Sequence, residues 1–310
     1  MKTVSNDKVI VITGPTACGK TELVLQLARQ FAIEVVSVDS AQVYRGMDIG
    51  TAKPDASILS EIPHHLIDIR DPKDPYSAAD FRLNAIQIIK DIQARGNCAL
   101  LSGGTMLYLK ALKEGIAKLP PRNDEVRAGI LEIATQRGWD FVHKRLQEVD
   151  PEAAARINPN DPQRIQRALE VYELTGKSMT SLHRLGETGC PFELVEIAIF
   201  PPDRKELHNR IAVRFDQMLD QGLLEEVRRL IERGDLHDGL PAIKSVGYRQ
   251  VWAYLQGDLD YVTMREKAIA GTRQLAKRQY TWLRGWKNLN IIDTPDRFQV
   301  LKILERASIL

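Results

Sequence analysis

Residues 14–21 read Gly-Pro-Thr-Ala-Cys-Gly-Lys-Thr and directly follow the apolar, β-branched run Val9–Thr13. This octet matches G-x-x-x-x-G-K-[ST], the pattern of a phosphate-binding loop, at every fixed position. Its glycines permit a tight turn whose backbone N–H groups surround an anion at the start of a helix. Lys20 is expected to contact the outer phosphates, and the Thr21 hydroxyl to bind Mg²⁺. The octet therefore predicts a strand, loop and helix that bind a diphosphate.

The composition is that of a soluble globular protein, with 44% hydrophobic and 27% charged residues in a chain of 310. Cys18, Cys98 and Cys190 are far apart, so the sequence indicates neither a disulfide framework nor a zinc site. A reducing cytoplasm fits this usage. Met1–Asp7 is too short and polar for a signal peptide, and no apolar run is long enough to span a membrane. We expect a cytoplasmic protein without membrane contact that acts as a monomer.

Alternating apolar runs and amphipathic helices predict an α/β fold with a parallel sheet. Ser77 and Asp80 form a predicted capping box at the start of the helix within Tyr76–Gln93, which Gly96 ends. Such a sheet is covered on both faces and binds ligands at the carboxyl ends of its strands. The predicted strands are Val9–Thr13, Glu34–Val38, His65–Ile69, Cys98–Ser102 and Leu194–Phe200, with a sixth candidate at Leu289–Ile292.

The alternation stops between residues 120 and 189, where only helical stretches occur, separated by Pro120-Pro121, Asp150-Pro151 and Asp161-Pro162. We therefore predict a core of residues 1–119 and 190–310, with a helical insertion at 120–189. The carboxyl-terminal part is predicted to be mostly helical. Its long helix, Tyr261–Leu283, belongs to a basic segment, Arg265–Lys287, with seven Lys or Arg residues and one acid.

A nucleotidase of the phosphate-loop class needs a second strand that ends in Asp to hold Mg²⁺. The run Cys98–Ser102 ends instead in Gly103-Gly104-Thr105, which weakens that interpretation, although Asp68 ends another apolar run and is an alternative ligand. Asp39 ends the second strand and should face the phosphate loop. On position alone it either caps the following turn, binds Mg²⁺ through water, or takes part in chemistry.

Several motifs together resemble the bacterial tRNA dimethylallyltransferases, also called tRNA isopentenyltransferases or IPP transferases. The motifs are the octet, Val38-Asp39-Ser40, Met47–Pro54, Gly103-Gly104-Thr105, Asp161–Arg164, Val246–Arg249 and Thr272–Gln279, and the resemblance extends from about Val9 to Trp286. It implies a P-loop NTPase-like parallel sheet core, with a helical insertion domain that contacts tRNA. It also implies transfer of a dimethylallyl group from dimethylallyl diphosphate to N6 of adenosine 37, beside the anticodon, in tRNAs reading codons that begin with U.

The resemblance assigns roles to individual residues. Asp39 and Thr105 are the expected catalytic residues, since an exocyclic amine must lose a proton as its new bond forms. Expected diphosphate ligands are Gly14, Pro15, Thr16, Ala17, Cys18, Gly19, Lys20, Thr21 and Arg214, with Mg²⁺ at Thr21. Expected contacts with the tRNA anticodon stem-loop are Asp39, Ser40, Ala41, Gln42, Thr105, Arg127, Gln163, Arg164, Ile165, Gln166, Arg167, Lys244, Ser245, Val246, Gly247, Tyr248, Arg249, Lys277, Arg278, Gln279, Tyr280, Thr281, Trp282, Leu283 and Arg284.

Simpler interpretations stay open for some of these residues. Arg214 alone would be a solvated helix charge, and Thr105 the N-cap of a helix over 106–112. The stretch 163–167 would be a solvent-facing basic helix, and Trp282 or Trp286 a core residue. The chain also departs from the family at Cys18, where the family usually has Ser; a thiol at a helix N-terminus can be sensitive to oxidation.

Two other function classes fit parts of the sequence. The octet and the α/β pattern alone would favour a kinase that transfers a γ-phosphoryl group to a small metabolite. The basic carboxyl-terminal segment would suit an RNA-binding switch protein that uses nucleotide only to change shape. A kinase requires ATP, and a switch protein forms no covalent RNA product.

Overall fold

The computed structural model describes residue 2 and residues 4–117, 119–186 and 189–310. The chain forms two compact units. Unit 1 comprises Met1–Leu112 and Pro191–Leu310, and unit 2 comprises Lys113–Cys190. Every strand of the described residues belongs to unit 1, so the sheet lies within that unit.

Six strands of the described chain form one parallel sheet, as the alternation of strand and helix predicts. They are β1 (Lys8–Thr13), β2 (Ile33–Val38), β3 (His64–His65), β4 (Cys98–Gly103), β5 (Glu193–Ile199) and β6 (Asn290–Ile292). Their order across the sheet is β3-β2-β4-β1-β5-β6. β1 therefore lies between β4 and β5, and the loops that follow β1, β2 and β4 meet at one edge of the sheet.

The predicted third strand is wrong over most of its length. The apolar run His65–Ile69 contributes only its first residue to β3, which covers His64–His65. Leu66 and Asp68 adopt left-handed backbone angles, with φ of 63° and 56°. Such angles are incompatible with an extended strand, so the chain leaves the sheet at Leu66.

The helices follow the amphipathic pattern of the sequence. Ser77 and Asp80 form the predicted reciprocal capping box at the start of α3. No helix of the described residues is both long and apolar enough to cross a membrane. In chain order the helices are α1 (Lys20–Gln30), α2 (Ala56–Glu61), α3 (Ala78–Ala94), α4 (Met106–Glu114), α5 (Asp124–Arg137), α6 (Trp139–Val149), α7 (Pro151–Arg156), α8 (Pro162–Thr175), α9 (Met179–Arg184), α10 (Arg204–Asp220), α11 (Leu223–Glu232), α12 (Tyr248–Leu255), α13 (Tyr261–Arg284) and α14 (Arg297–Arg306).

Helices cover both faces of the sheet. On one face Ile10 and Ile12 of β1 share a buried cluster with Leu27 of α1 and Val300 of α14. α1 leads from β1 to β2, whereas α3 leads back towards β4, so right-handed crossovers place these helices on opposite faces. The β1 side chains are accordingly buried on both sides of the strand. This burial fixes β1 and the loop that follows it.

Unit 2 has its own helical core. Buried residues of α5, α6, α7 and α8 form one cluster, in which Ile130, Val142, Leu146, Ile165 and Leu169 take part. Asp150 and Asp161 cap α7 and α8, and proline follows each cap at the first helical position. The Asp-Pro pairs of the sequence therefore begin helices.

Candidate active site

The phosphate loop connects β1 to α1 with the geometry that its sequence predicts. Ala17 and Gly19 have left-handed backbone angles, with φ of 63° and 91°. The Lys20 Nζ lies 2.8 Å from the carbonyl oxygens of both Gly14 and Pro15. Lys20 is thereby drawn back over the loop, and its ammonium group is held where the loop backbone turns.

Two further residues of the octet have distinct environments. Cys18 is fully buried, so its thiol is shielded from solvent oxidants. Thr21 is exposed in the first turn of α1 and lines the same pocket as Lys20. The helix N-terminus adds partial positive charge at this place, so loop and helix together favour a bound anion.

A pocket of about 980 Å³ opens beside the phosphate loop. It is lined by residues that follow β1, β2 and β4, and by side chains of α10 and α13, all in unit 1. The predicted site residues that line it are Thr16, Ala17, Cys18, Gly19, Lys20, Thr21, Asp39, Ser40, Ala41, Gln42, Thr105, Arg214, Lys244, Ser245, Val246, Gly247, Arg278, Gln279 and Trp282.

Asp39 and Thr105 lie on adjoining loops of this pocket. The Asp39 Oδ1 accepts hydrogen bonds from the N–H groups of Ala41 at 2.8 Å and Gln42 at 3.3 Å, so Asp39 does cap the following turn. The Thr105 Oγ1 accepts the N–H of Ser40 at 3.1 Å. Thr105 directly precedes α4, but its hydroxyl reaches across to the loop after β2. The two candidate catalytic side chains are thus held by one hydrogen-bonded unit.

Arg214 is a half-buried cation of the same pocket, on α10. Burial lowers the pKa of its guanidinium, while the nearby Asp39 acts in the opposite direction. Its sequence neighbour Asp216 pairs with Arg265, at 2.6 and 2.7 Å, rather than with Arg214. A solvated surface charge is therefore the wrong description of Arg214, and its role as a diphosphate ligand stays a prediction.

Gln279 joins the phosphate loop to the loop after β4. Its Oε1 accepts the Thr16 N–H at 2.8 Å, and its Nε2 donates to the Gly104 carbonyl oxygen at 2.9 Å. A Cβ at position 104 would lie 2.3 Å from that Nε2, so only glycine allows this contact. Gln279 is buried, which indicates that it aligns two loops; its predicted contact with tRNA stays a prediction.

Asp68 does not lie where a nucleotidase would need it. Asp68 follows the short strand β3, which β2 and β4 separate from β1. Its Oδ1 lies 2.5 Å from the Nζ of Lys53, whose side chain is only 3% exposed and also pairs with Asp48. The carboxylate therefore neutralises a buried lysine. The described residues contain no group of three or more His, Cys, Asp or Glu side chains that could hold a metal ion.

The basic helix α13 contributes both to the pocket and to the surface beside it. Arg278 and Trp282 of α13 line the pocket, and Trp282 is 39% exposed. The Lys110 Nζ lies 5.7 Å from the centre of the Trp282 ring. Trp286 is half-buried, and its Nε1 donates to Glu196 at 2.8 Å. Neither tryptophan is a fully buried core residue.

Other predicted tRNA contacts on these helices have mixed environments. Lys244 is exposed at the pocket wall, and Arg249 is exposed on α12. Tyr248 is completely buried, and Tyr280 is buried with its hydroxyl donating to the Pro201 carbonyl oxygen at 2.7 Å. Lys277, Thr281 and Arg284 are exposed on α13, whereas Leu283 is buried.

In unit 2, two of the predicted tRNA contacts hold a buried carboxylate. Arg127 forms a bidentate pair with Glu170 at 3.0 and 3.0 Å, and Arg167 contacts the same carboxylate at 2.7 Å. Burial opposes ionisation of Glu170, but the hydrogen bonds from both arginines outweigh it and lower its pKa to about 2. The two arginines are therefore half-buried structural partners, and a role in tRNA binding stays a prediction.

The rest of the stretch 163–167 divides by exposure. Ile165 is buried in the core of unit 2, and the Gln166 Nε2 donates to the Arg127 carbonyl oxygen at 3.0 Å. Gln163 and Arg164 are exposed in the first turn of α8. A solvent-facing basic helix thus describes Arg164 but not Arg167.

The pocket also contains residues to which the sequence assigns no role in the site, although Thr272 belongs to the motif Thr272–Gln279. Arg210 and Met218 lie one turn before and one turn after Arg214 on α10, and Thr272 lies on α13 in line with Gln279. Spacings of four and seven residues place side chains on one helix face. These residues could have been found in the sequence by taking positions four or seven residues away from each motif residue.

Known proteins resemble this chain over nearly its whole length. The model of the IPP transferase family matches residues 42–286. The structure of a full-length tRNA isopentenylpyrophosphate transferase from Bacillus halodurans is 36% identical, with a TM-score of 0.68, and the match covers 97% of this chain and 94% of that one. A tRNA delta(2)-isopentenylpyrophosphate transferase from Staphylococcus epidermidis is 33% identical, with a TM-score of 0.69 and coverage of 97% and 99%.

A third similar structure is a eukaryotic dimethylallyltransferase acting on tRNA. It is 28% identical, with a TM-score of 0.76, and the match covers 98% of this chain and 78% of that one. The family match spans more than half of the chain and includes Gln42, Thr105 and Arg214. This chain therefore belongs to the IPP transferase family.

Proposed function

We propose that this protein transfers a dimethylallyl group from dimethylallyl diphosphate to N6 of adenosine 37 of tRNA, in tRNAs that read codons beginning with U, and releases diphosphate. One observation carries the proposal: Asp39, Thr105 and Arg214 line a single pocket together with the phosphate loop. The pocket has room, at about 980 Å³, for a prenyl diphosphate and a splayed base.

The diphosphate is the leaving group of this reaction. The loop N–H groups, the Lys20 ammonium and the Arg214 guanidinium stabilise the negative charge that develops on it as the bond between C1 and oxygen breaks. Thr21 offers a hydroxyl oxygen beside Lys20, and Mg²⁺ prefers oxygen ligands. Thr21 and the diphosphate oxygens would hold the ion, which would supply further positive charge to the leaving group.

The adenine amine is the nucleophile. As the bond from N6 to C1 of the allyl group forms, one N6 proton passes to the Asp39 carboxylate, which acts as the general base. The Asp39 Oδ1 is engaged by the turn, so Oδ2 is the oxygen that receives the proton. The Thr105 hydroxyl, fixed against Ser40, orients the amine from the adjoining loop.

The tRNA reaches the pocket along the basic helix α13. An adenine stacked within the anticodon loop must be unstacked before its amine meets Asp39, and aromatic side chains stabilise unstacked bases. Exposed Trp282, with Lys110 above its ring, is suited to this, and Lys277 and Arg284 are suited to phosphate contacts.

Labelled dimethylallyl diphosphate, unmodified tRNA and Mg²⁺, incubated with the protein in the absence of ATP, test this function. We expect the label in the RNA, at the adenosine beside the anticodon. No labelled RNA, together with ATP consumption in a parallel incubation that contains ATP, would indicate the kinase alternative. RNA binding without any covalent product would indicate the switch protein.

A further inference from the structure

A buried carboxylate on α11 binds the backbone of the loop after β2. Glu226 is only 2% exposed. Its Oε2 accepts the N–H groups of Asp48 at 2.9 Å and Ile49 at 2.8 Å, and its Oε1 accepts that of Gly50 at 3.2 Å. The Tyr248 hydroxyl donates to the same Oε1. Four donors thus surround a carboxylate that would otherwise be costly to bury.

This arrangement explains the residue types in two of the sequence motifs. A Cβ at position 50 would lie 2.5 Å from the Tyr248 ring, so the close packing of loop and ring requires glycine. Three consecutive N–H groups that point at one anion form a backbone nest. The motif Met47–Pro54 therefore supplies the nest, the motif Val246–Arg249 supplies Tyr248, and Glu226 binds both.

The nest continues directly into the active-site pocket. Gly50, Thr51, Ala52 and Pro54 line the pocket. The carbonyl oxygens of Thr51 and Ala52 each lie 3.3 Å from the Nε2 of Gln42, which donates to them.

On its other side the Gln42 amide is held by the sheet. The Gln42 Oε1 accepts the Ser37 hydroxyl at 2.9 Å. The orientation of this pocket amide is therefore set by Ser37 and by the backbone at 51–52, and Glu226 holds that backbone in place.

We propose that Glu226 is a positioning residue for substrate RNA: by fixing the backbone at 48–52 it orients Gln42 in the pocket wall. The Gln42 Oε1 accepts the Ser37 hydroxyl with one lone pair and has a second lone pair for the amine of the target adenine. The inference rests on the proposed function. Glu226 does not touch the substrate, and its effect passes through the loop. The phosphate loop is held by other hydrogen bonds, from Lys20 and to Gln279. A change at Glu226 should therefore weaken the use of substrate RNA and leave diphosphate binding unchanged.

Steady-state kinetics of Glu226→Gln test the proposal. The substituted amide presents an N–H₂ group to the backbone donors, so the nest loses part of its acceptor. We expect kcat/KM for tRNA to fall on the order of tenfold. The KM for dimethylallyl diphosphate should stay within about twofold of the wild-type KM. Glu225→Gln is the matched control, since Glu225 is exposed on the same helix and pairs with Arg228 at 3.5 Å.

A double-mutant cycle with Gln42→Ala separates positioning from general destabilisation. If Glu226 acts through Gln42, the loss caused by Glu226→Gln becomes much smaller in the Gln42→Ala background. Full additivity of the two losses, parallel changes in both KM values, or kinetics equal to those of Glu225→Gln would each overturn the proposal.

Hydrogen exchange gives an answer that does not depend on activity. Tyr248→Phe removes one of the four donors and serves if Glu226→Gln fails to fold. In either variant, amides at 48–52 should exchange faster while those at 9–21 keep their protection. Unchanged exchange at 48–52 would overturn the link between Glu226 and the loop. A wild-type protein that labels no tRNA would instead overturn the proposed function, and the exchange data would still stand.

Discussion

The Asp39 side chain accepts the N–H groups of both Ala41 and Gln42 through one oxygen, Oδ1. Turn capping and proton transfer are therefore not exclusive at this residue, because a carboxylate has two oxygens. Capping fixes the rotation of the side chain, and a fixed general base needs less reorganisation in the transition state. The sequence alone presented these roles as alternatives.

Asp39→Asn separates the two roles. Asparagine keeps an Oδ1 that can cap the turn, but its amide cannot accept the proton from the amine. We expect single-turnover transfer to slow by on the order of 10² to 10⁴, with tRNA binding nearly unchanged. A transfer rate close to that of the wild type would show that Asp39 is not the general base.

Gln279 gives a second prediction at the scale of one residue. Gln279→Ala removes the hydrogen bonds to Thr16 and Gly104 that align the two loops. We expect kcat/KM for dimethylallyl diphosphate to fall on the order of tenfold, measured with saturating tRNA. Gln274→Ala, an exposed position on the same helix, is the control. A loss confined to tRNA affinity would favour the direct RNA contact that the family resemblance implies.

At the scale of elements, α13 has a buried face and an exposed face. Gln279 belongs to the buried side, and Lys277 lies on the exposed side. The seven basic residues of the segment are not equivalent, since Arg265 is already paired with Asp216. Charge counting along the sequence finds the helix but cannot assign its individual cations.

Lys277→Ala should therefore weaken tRNA binding chiefly through lost phosphate contact. We expect the slope of log affinity against log salt concentration to become shallower by about one unit, measured by filter binding over a range of salt. Lys267→Ala, exposed ten residues earlier on the same helix, is the comparison. A defect that does not vary with salt would indicate misfolding.

The helices of unit 2 depend on the charge of Glu170. Its pKa in the folded protein is about 2, below the ordinary value of 4.5, so its stabilising contribution is complete above pH 4.5 and is lost as the pH falls towards 2. Hydrogen exchange of peptides from α5 and α8 should show unit 2 opening over this range. Glu34 of unit 1 also has a pKa of about 2, so unit 1 should lose stability over the same pH range. Hydrogen exchange distinguishes the two contributions because it reports on peptides from each unit separately.

Glu170→Gln should be less stable at neutral pH, because Arg127 and Arg167 lose their charged partner. The stability of unit 2 in this variant should also change less between pH 4.5 and 2. The exposed Glu173, which pairs with Arg145 at 2.6 Å, provides the matched control variant Glu173→Gln. If unit 2 of the variant lost stability between pH 4.5 and 2 as steeply as unit 2 of the wild type, Glu170 would not be the group responsible.

Local patterns predicted the elements of the fold well. The capping box at Ser77 acts within one helical turn, so the sequence contains the whole signal. Asp150-Pro151 and Asp161-Pro162, which the sequence analysis treats only as separators between helical stretches, also begin helices, α7 and α8. The run His65–Ile69 was misread because apolar composition does not reveal a left-handed backbone. Leu66 and Asp68 have left-handed backbone angles, and Asp68 forms an ion pair with Lys53. A pattern of apolar residues along the chain contains no information about this ion pair.

At the scale of the whole molecule, the site was predictable where a residue follows a strand. Asp39, Thr105 and the phosphate loop each follow a parallel strand, and parallel strands bring such loops together. The supports of the site were not predictable in this way. Gln279 contacts Thr16 across 263 positions, and Glu226 contacts Gly50 across 176. No local periodicity encodes these pairs.

The place of β1 in the sheet has a consequence for synthesis of the chain. β1 pairs with β4 on one side, whereas its other partner, β5, begins only at Glu193, after all of unit 2. While the ribosome is still translating unit 2, one edge of β1 has no strand to bind. Exposed edges of this kind pair readily with other chains. We therefore expect nascent chains that end before residue 193 to need chaperone protection, and the phosphate loop to become rigid only late in translation.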